Sequence, residues 1–177
     1  MQAGLTYFLK TARLGFRQWS MEDFPLAVSL WGDVSVTRLI GGPFSEREVR
    51  ERLNKEIAST QAHGVQYWPV FLLSDGDFVG CCGLRPYRPE EKICELGFHF
   101  RPGYWGKGLA GEAAQEVIRH AESLGLKALF AGHHPENLAS QKVLEKLGFS
   151  FTHEELYAPT GKMHRCYFLT LPNKSFS

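Results

Sequence analysis

Apolar and polar positions change period several times along the chain, and each change marks an element. Residues 92–100 alternate: Cys94, Leu96, Phe98 and Phe100 fall on one face of an extended chain, and Ile93, Glu95, Gly97 and His99 on the other. That period of two predicts a strand on which Glu95 and His99 share a face. Two apolar runs, 70–73 and 78–82, flank Ser74-Asp75-Gly76-Asp77, and Asp-Gly between such runs predicts a hairpin. Further strands are expected at 14–18, 128–132, 150–158 and 165–171, the last two separated by the turn Pro159-Thr160-Gly161-Lys162. Pro86 and Pro89 predict a loop over 85–91.

The period lengthens elsewhere. Ser45 opens a helix in which Val49, Leu53 and Ile57 form a stripe, ending near His63-Gly64. A second runs over 110–124, with Ala113, Val117, Ala121 and Leu124 on one side and Gly125 just past its end. Asn137 caps a third, with Leu138, Val143, Leu144 and Leu147 inward and Gly148 as its stop. Ser20 and Asp23 form a capping-box signature for a shorter helix reaching about Trp31. Strand, helix and strand between 92 and 132 predict a right-handed crossover joining two parallel strands. The expected fold is therefore α/β, a mixed and mostly antiparallel central sheet in one domain spanning 1–177, with a structured core over roughly 11–172.

A length of 177 residues with 44% apolar content suffices for a core without disulfides or metals. The four cysteines, Cys81, Cys82, Cys94 and Cys166, lack zinc-site spacing, which predicts a reduced, metal-free cytoplasmic protein. A balance of 20 basic against 19 acidic residues gives no long-range field to gather nucleic acid, and no apolar stretch is long enough to cross a membrane. Any anion must be caught locally.

One segment is suited to that. Gly106-Lys107-Gly108-Leu109-Ala110-Gly111 lies between a strand and a helix, where glycines let backbone N–H groups converge and the helix start adds partial positive charge. A phosphate is the expected ligand, and an ordinary glycine-rich turn the plainer alternative. The segment also satisfies G-x-G-x-x-G, yet the following strand ends in Gly132-His133-His134 where a dinucleotide fold requires an acid for the ribose. Neither Gly-Lys-Ser nor Gly-Lys-Thr occurs, which excludes an ATP-binding P-loop.

At these residues the chain resembles the GNAT acetyltransferases, whose phosphate-binding signature is [Gln/Arg]-x-x-Gly-x-[Gly/Ala]. Trp105-Gly106-Lys107-Gly108-Leu109-Ala110 aligns with it apart from Trp105, and Tyr-Trp-Gly-Lys-Gly with the Glu-Ala pair that follows is similar to the branch containing ribosomal-protein N-terminal acetyltransferases. Thr11-Ala12-Arg13-Leu14, Glu95-Leu96-Gly97-Phe98, and Asn137 to Ser140 through Glu145-Lys146-Leu147-Gly148-Phe149 extend the likeness over nearly the whole chain. The resemblance implies a βαβ cofactor-binding core with helices on both faces of the sheet. It implies acetyl-coenzyme A as acyl donor, its pyrophosphate held by the backbone of Gly106, Lys107, Gly108, Leu109, Ala110 and Gly111. Its pantetheine arm would pair with the strand around Phe98, His99 and Phe100, where that strand parts from the next, and Asn137 would contact the arm. The acceptor would be an amine-bearing small molecule or a peptide or protein N-terminus. A homodimer is left open.

An amine must lose a proton to attack a thioester, so a base is needed beside the cleft. Glu95 is the first candidate, with a surface ion pair as its plainer role, and His99 on the same face is the second. His133 and His134, as neighbours on a strand, point oppositely, so at most one should line the cleft. Many GNAT enzymes carry a tyrosine acid where this chain has Leu144. Ser140 resembles the serine that the ribosomal-protein branch places near the cofactor sulfur, and helix-turn capping is its alternative. A cysteine-acyl route lacks an activated thiol. A coenzyme A binding or sensing module without turnover and a dinucleotide-dependent oxidoreductase remain the alternatives to acetyl transfer.

Overall fold

The computed structural model describes residues 6–173. One sheet of eight strands organises them: β1 (Leu9–Lys10), β2 (Leu14–Phe16), β3 (Tyr67–Leu72), β4 (Phe78–Arg88), β5 (Ile93–Phe100), β6 (Ala128–His133), β7 (Ser150–Tyr157) and β8 (Lys162–Thr170), in the order β1-β2-β3-β4-β5-β6-β8-β7. All neighbours are antiparallel except β5 and β6. That parallel pair is joined through α4 (Leu109–Ser123), the predicted βαβ unit.

The sheet is covered on both faces. Leu84, Cys94, Leu96 and Phe100 pack with Ala113, Val117 and Ala121 of α4 and Leu144 of α5 (Leu138–Lys146). Trp19 and the strand residues Tyr67, Phe71, Phe78 and Cys81 pack with Ala27, Leu30 and Trp31 of α1 (Phe24–Trp31) and Val49 and Leu53 of α3 (Glu46–His63). Alternation along β5 therefore sorts its side chains between α4 on one side and α1 and α3 on the other. Both capping boxes form: the Ser20 N–H donates to Asp23 at 2.8 Å and the Ser45 N–H to Glu48 at 2.8 Å.

Several boundaries differ from the sequence expectation. The 85–91 loop is mostly strand, because β4 continues to Arg88 with a register shift at Pro86/Arg88 that accommodates the proline. β8 begins at Lys162, not at residue 165, and β1 and the four-residue α2 (Val34–Thr37) are too short to leave a periodic signal. In α3 the third buried position of the stripe is Glu56, with Ile57 half-buried beside it. Leu124 and Leu138, expected inward, are 48% and 61% exposed, because each sits at a helix end where the apolar face has run out. All four cysteines are buried and free. No described helix is long and apolar enough to cross a membrane.

Candidate active site

β5 and β6 part early. Their pairing runs from Ile93↔Ala128 to Glu95↔Phe130, and beyond it neither strand pairs with the other. The backbone of β5 from Leu96 onward thus loses its neighbour on that side, and α4 and α5 both begin at the same end of the sheet. Backbone groups without partners and two helix starts converge there, the arrangement in which open α/β sheets take ligands.

At the start of α4, Gly106 and Gly108 have φ of 72° and 74°, the left-handed region that glycine alone enters without strain. The first helical donation from this segment is Glu112 N–H to the Gly108 carbonyl at 3.2 Å. No backbone carbonyl among the described residues accepts from the N–H groups of residues 106–111. A Cβ placed on Gly106 or Gly111 would meet nothing within 4 Å, so the cradle opens to solvent. Arg13 holds its rim: Nη1 donates to the Lys107 carbonyl at 2.9 Å and Nε to Glu112 at 2.7 Å, and Thr11 donates to the same carboxylate at 2.6 Å. With the Lys107 carbonyl tied back to Arg13, the N–H groups remain available to an anion.

Below the parting lies a cavity of about 250 Å³ lined by Glu95, Phe98, His99, Asn137 and Ser140, together with residues remote in sequence. Its roof comes from Leu39 and Ile40 and from Leu156 and Tyr157 of the β7–β8 hairpin. Gly41 brings these two segments together, since a Cβ there would lie 2.7 Å from that of Pro159. The floor is a register effect. Tyr67 of β3 lies opposite Gly83 of β4, which lies opposite Gly97 of β5, and a Cβ on Gly97 would fall 2.3 Å from the Tyr67 ring. Two glycines in line therefore let the ring cross to β5, where its hydroxyl donates to Glu95 Oε1 at 2.7 Å. Burial, then the nearby Glu95 charge, raises the Tyr67 hydroxyl well above its ordinary range, so it stays a donor.

Arg85, paired in register with Glu95, stacks over the Tyr67 ring at 3.9 Å and forms an ion pair with Glu56, which is only 2% exposed. Glu56 also accepts from the Tyr67 N–H at 2.7 Å. His99 accepts at Nδ1 from the Trp31 indole at 3.1 Å, which leaves the proton on Nε2. Burial, then the charges of Arg52 and Arg85, pushes His99 down to about 3. A depressed histidine contributes stability that is complete above its unfolded pKa, about 6.5, and is lost as pH falls toward the folded value. At pH 5 the expected loss from this residue is about 2 kcal/mol. Denaturant unfolding at pH 7 and pH 5 checks it: His99→Gln, which still accepts from Trp31, should lose about 2 kcal/mol less than the parent, and an equal loss in both would exclude the assignment.

The expected site residues separate into two places. Glu95, Phe98, His99, Asn137 and Ser140 share the cavity wall, whereas residues 106–111 form the cradle at the start of α4. Phe100 lies outside the cavity: its side chain is in the core, and its carbonyl accepts from Trp105 Nε1 at 2.7 Å. Asn137 accepts from the Ser140 N–H at 3.1 Å as a helix cap while also lining the cavity. The expectation that only one of His133 and His134 lines the cleft is corrected. Both do, because β6 ends at His133 and alternation stops there. His133 is tied to the His134 carbonyl at 2.7 Å and to the Tyr167 hydroxyl at 3.1 Å. The sequence alone does not single out Tyr67, Arg85, Glu56 or Arg52. Only Glu56 leaves a signal there, a carboxylate at a stripe position of α3.

Comparison with known proteins agrees with this geometry. The sequence profile described as Acetyltransferase (GNAT) domain matches residues 13–150. An N-acetyltransferase of Bacillus licheniformis, p20, uncharacterised in function, is 30% identical over 147 residues, covering 80% of this chain and 81% of that one. A GNAT-family acetyltransferase from Bacillus anthracis has the same fold with a TM-score of 0.79 at 26% identity, covering 92% of this chain and 97% of that one. RimL, a ribosomal-protein alpha-N-acetyltransferase solved in complex with coenzyme A, superposes with a TM-score of 0.79 at 16% identity, covering 91% and 96% of the two chains, a likeness of fold alone. With its profile match, the B. licheniformis relative and the parted β5–β6 pair in agreement, the chain belongs to the GNAT acetyltransferase family.

Proposed function

We propose that the protein transfers the acetyl group of acetyl-coenzyme A to a primary amine by direct attack within a ternary complex. The observation that carries this reading is the cradle of unpartnered N–H groups at residues 106–111, set at the end of the sheet where β5 and β6 part above a cavity holding Glu95. The cradle suits a pyrophosphate. The unpaired edge of β5 around Phe98 and His99 suits the amide-bearing pantetheine arm, and Asn137 lines the same opening.

Glu95 takes the base role in this mechanism. One of its oxygens is held by the Tyr67 hydroxyl, which fixes the carboxylate's direction, and the side chain faces the cavity. It receives the proton from the ammonium directly or through water; the freed amine forms the new C–N bond; the C–S bond breaks and the thiolate leaves. A backbone N–H of the unpaired stretch of β5 stabilises the oxygen that gains charge. Ser140, which lines the cavity, relays a proton to the leaving sulfur and takes up in exchange the second proton that the amine nitrogen sheds, at the end of the pocket where Leu144 offers none. His99 is better suited to donating than to accepting: its one acceptor nitrogen already receives the Trp31 indole proton. We therefore retain Glu95 over His99 as the base.

RimL acts on a ribosomal protein, which raises a protein N-terminus as one acceptor class, and a small-molecule amine is the other. The test is thiol release from acetyl-coenzyme A with a panel of amines, read alongside product mass. One acetylated amine per thiol released supports the proposal; ligand binding with no turnover of any amine would assign a sensing module instead. Loosening the cradle should act earlier in the cycle. Arg13→Ala removes the brace on the Lys107 carbonyl and is expected to raise the KM for acetyl-coenzyme A on the order of 10-fold with little change in kcat. A loss confined to kcat would contradict that role for Arg13.

A further inference from the structure

The cavity wall carries two guanidinium groups in unlike circumstances. Arg85 is compensated by Glu56 and stacked on Tyr67. Arg52, on α3, lines the same cavity and lies near two aromatic rings, its Cζ 4.8 Å from the Phe44 centroid and 5.5 Å from that of Trp31. Among the described residues no carboxylate forms an ion pair with it. The carboxylates nearest to it along α3 are each engaged elsewhere: Glu48 accepts from the Ser45 N–H at 2.8 Å, Glu51 pairs with Arg47 at 3.1 Å, and Glu56 pairs with Arg85. Burial, then the charge of Arg85, works against the Arg52 cation, and the Glu56 charge, already shared with Arg85, offsets this only in part.

An ammonium entering beside Glu95 satisfies that carboxylate and leaves Arg52 as before. A ligand carrying an anion as well would satisfy both. We infer that the acceptor bears a carboxylate in addition to its amine, and that Arg52 receives the carboxylate while the amine is presented to Glu95. This rests on the acetyl-transfer reading of the same cavity and names its substrate class: a free amino acid, or a peptide whose first residue is acidic. Arg suits the task because its planar fork binds a carboxylate through two parallel N–H donors. The apolar roof of Leu39, Ile40 and Leu156 accommodates a hydrocarbon side chain.

The test uses two matched pairs as acceptors, leucine against leucinamide and Asp-Leu amide against Asn-Leu amide, in the parent, Arg52→Met and Arg52→Lys. In at least one pair the carboxylate-bearing member should exceed its neutral partner by about 100-fold in kcat/KM, roughly the worth of a charged hydrogen-bonded contact. The pair that shows the preference identifies the source. The ratio should collapse to a few-fold in Arg52→Met and recover in part in Arg52→Lys. Equal or better use of the neutral member in both pairs, or a preference that survives in Arg52→Met, would overturn the inference and leave acetyl transfer standing. If no amine releases thiol, acetyl transfer itself fails, and the inference is then decided by binding. It survives only if leucine or Asp-Leu amide raises the unfolding midpoint of the coenzyme A-loaded parent but not of coenzyme A-loaded Arg52→Met.

Discussion

Replacing Gly111 by Glu is expected to lower the affinity for acetyl-coenzyme A on the order of 100-fold while leaving the unfolding midpoint of the free protein unchanged or raised. The two effects come from one position. Gly111 is the third residue of α4, its φ is not in the left-handed region, and a Cβ there meets no atom within 4 Å. Exchanging glycine for a helix-forming residue gains about 0.5–1 kcal/mol, and an acidic side chain in the first turn gains slightly more from the helix dipole. A bound pyrophosphate would meet the same carboxylate at close range. Two like charges about 5 Å apart at an effective dielectric of about 20 repel by about 3 kcal/mol, roughly two decades of affinity. Calorimetric titration of the variant, with a melting curve beside it, separates the terms. Unchanged affinity in a folded Gly111→Glu would remove residues 106–111 as the pyrophosphate site.

Glu95→Gln should lower kcat by about 10²–10⁴-fold at pH 7, the range that a positioned general base contributes, with the affinity for acetyl-coenzyme A preserved. The amide keeps an oxygen for the Tyr67 hydroxyl, so the floor of the cavity is retained. The shape of the pH profile is the more decisive readout. Without a base, the variant depends on the fraction of amine already deprotonated, and its rate should climb with pH toward the amine's own pKa, where the parent has levelled off. A variant that matches the parent in both rate and profile would leave Glu95 as a structural partner of Tyr67.

Local periodicity carried much of this arrangement. Alternation along β5 placed Glu95 and His99 on one face and Cys94, Leu96 and Phe100 on the other, and the packing of the second set against α4 follows from it. The glycines of 106–111 and the Asn137 cap were likewise readable, since each depends on neighbours a few residues away. What the sequence could not show depends on register between distant strands. Tyr67 reaches Glu95 only because Gly83 and Gly97 align across two strand pairings, and Arg85 meets Glu56 only once α3 has packed over β4. Errors at element ends have local causes. Leu124, at the end of α4, and Leu138, at the start of α5, extend an apolar pattern beyond the buried turns, and Pro86 interrupts the composition of β4 without interrupting its pairing, because the register shift beside it absorbs the mismatch. The paired histidines escape the alternation rule for a similar reason: β6 ends at His133, and His134 lies one residue beyond it.

Whether the cradle and the parted strands receive a coenzyme A thioester is decided by the thermal unfolding midpoint with acetyl-coenzyme A, coenzyme A, NADH or ATP added separately. A ligand that binds only the folded chain raises the midpoint by mass action, by about 2.7 kcal/mol of stability at 100 times its Kd. A rise is expected with the two coenzyme A species and none with NADH or ATP at the same concentration. No rise with either coenzyme A species, or a rise with NADH alone, would contradict it.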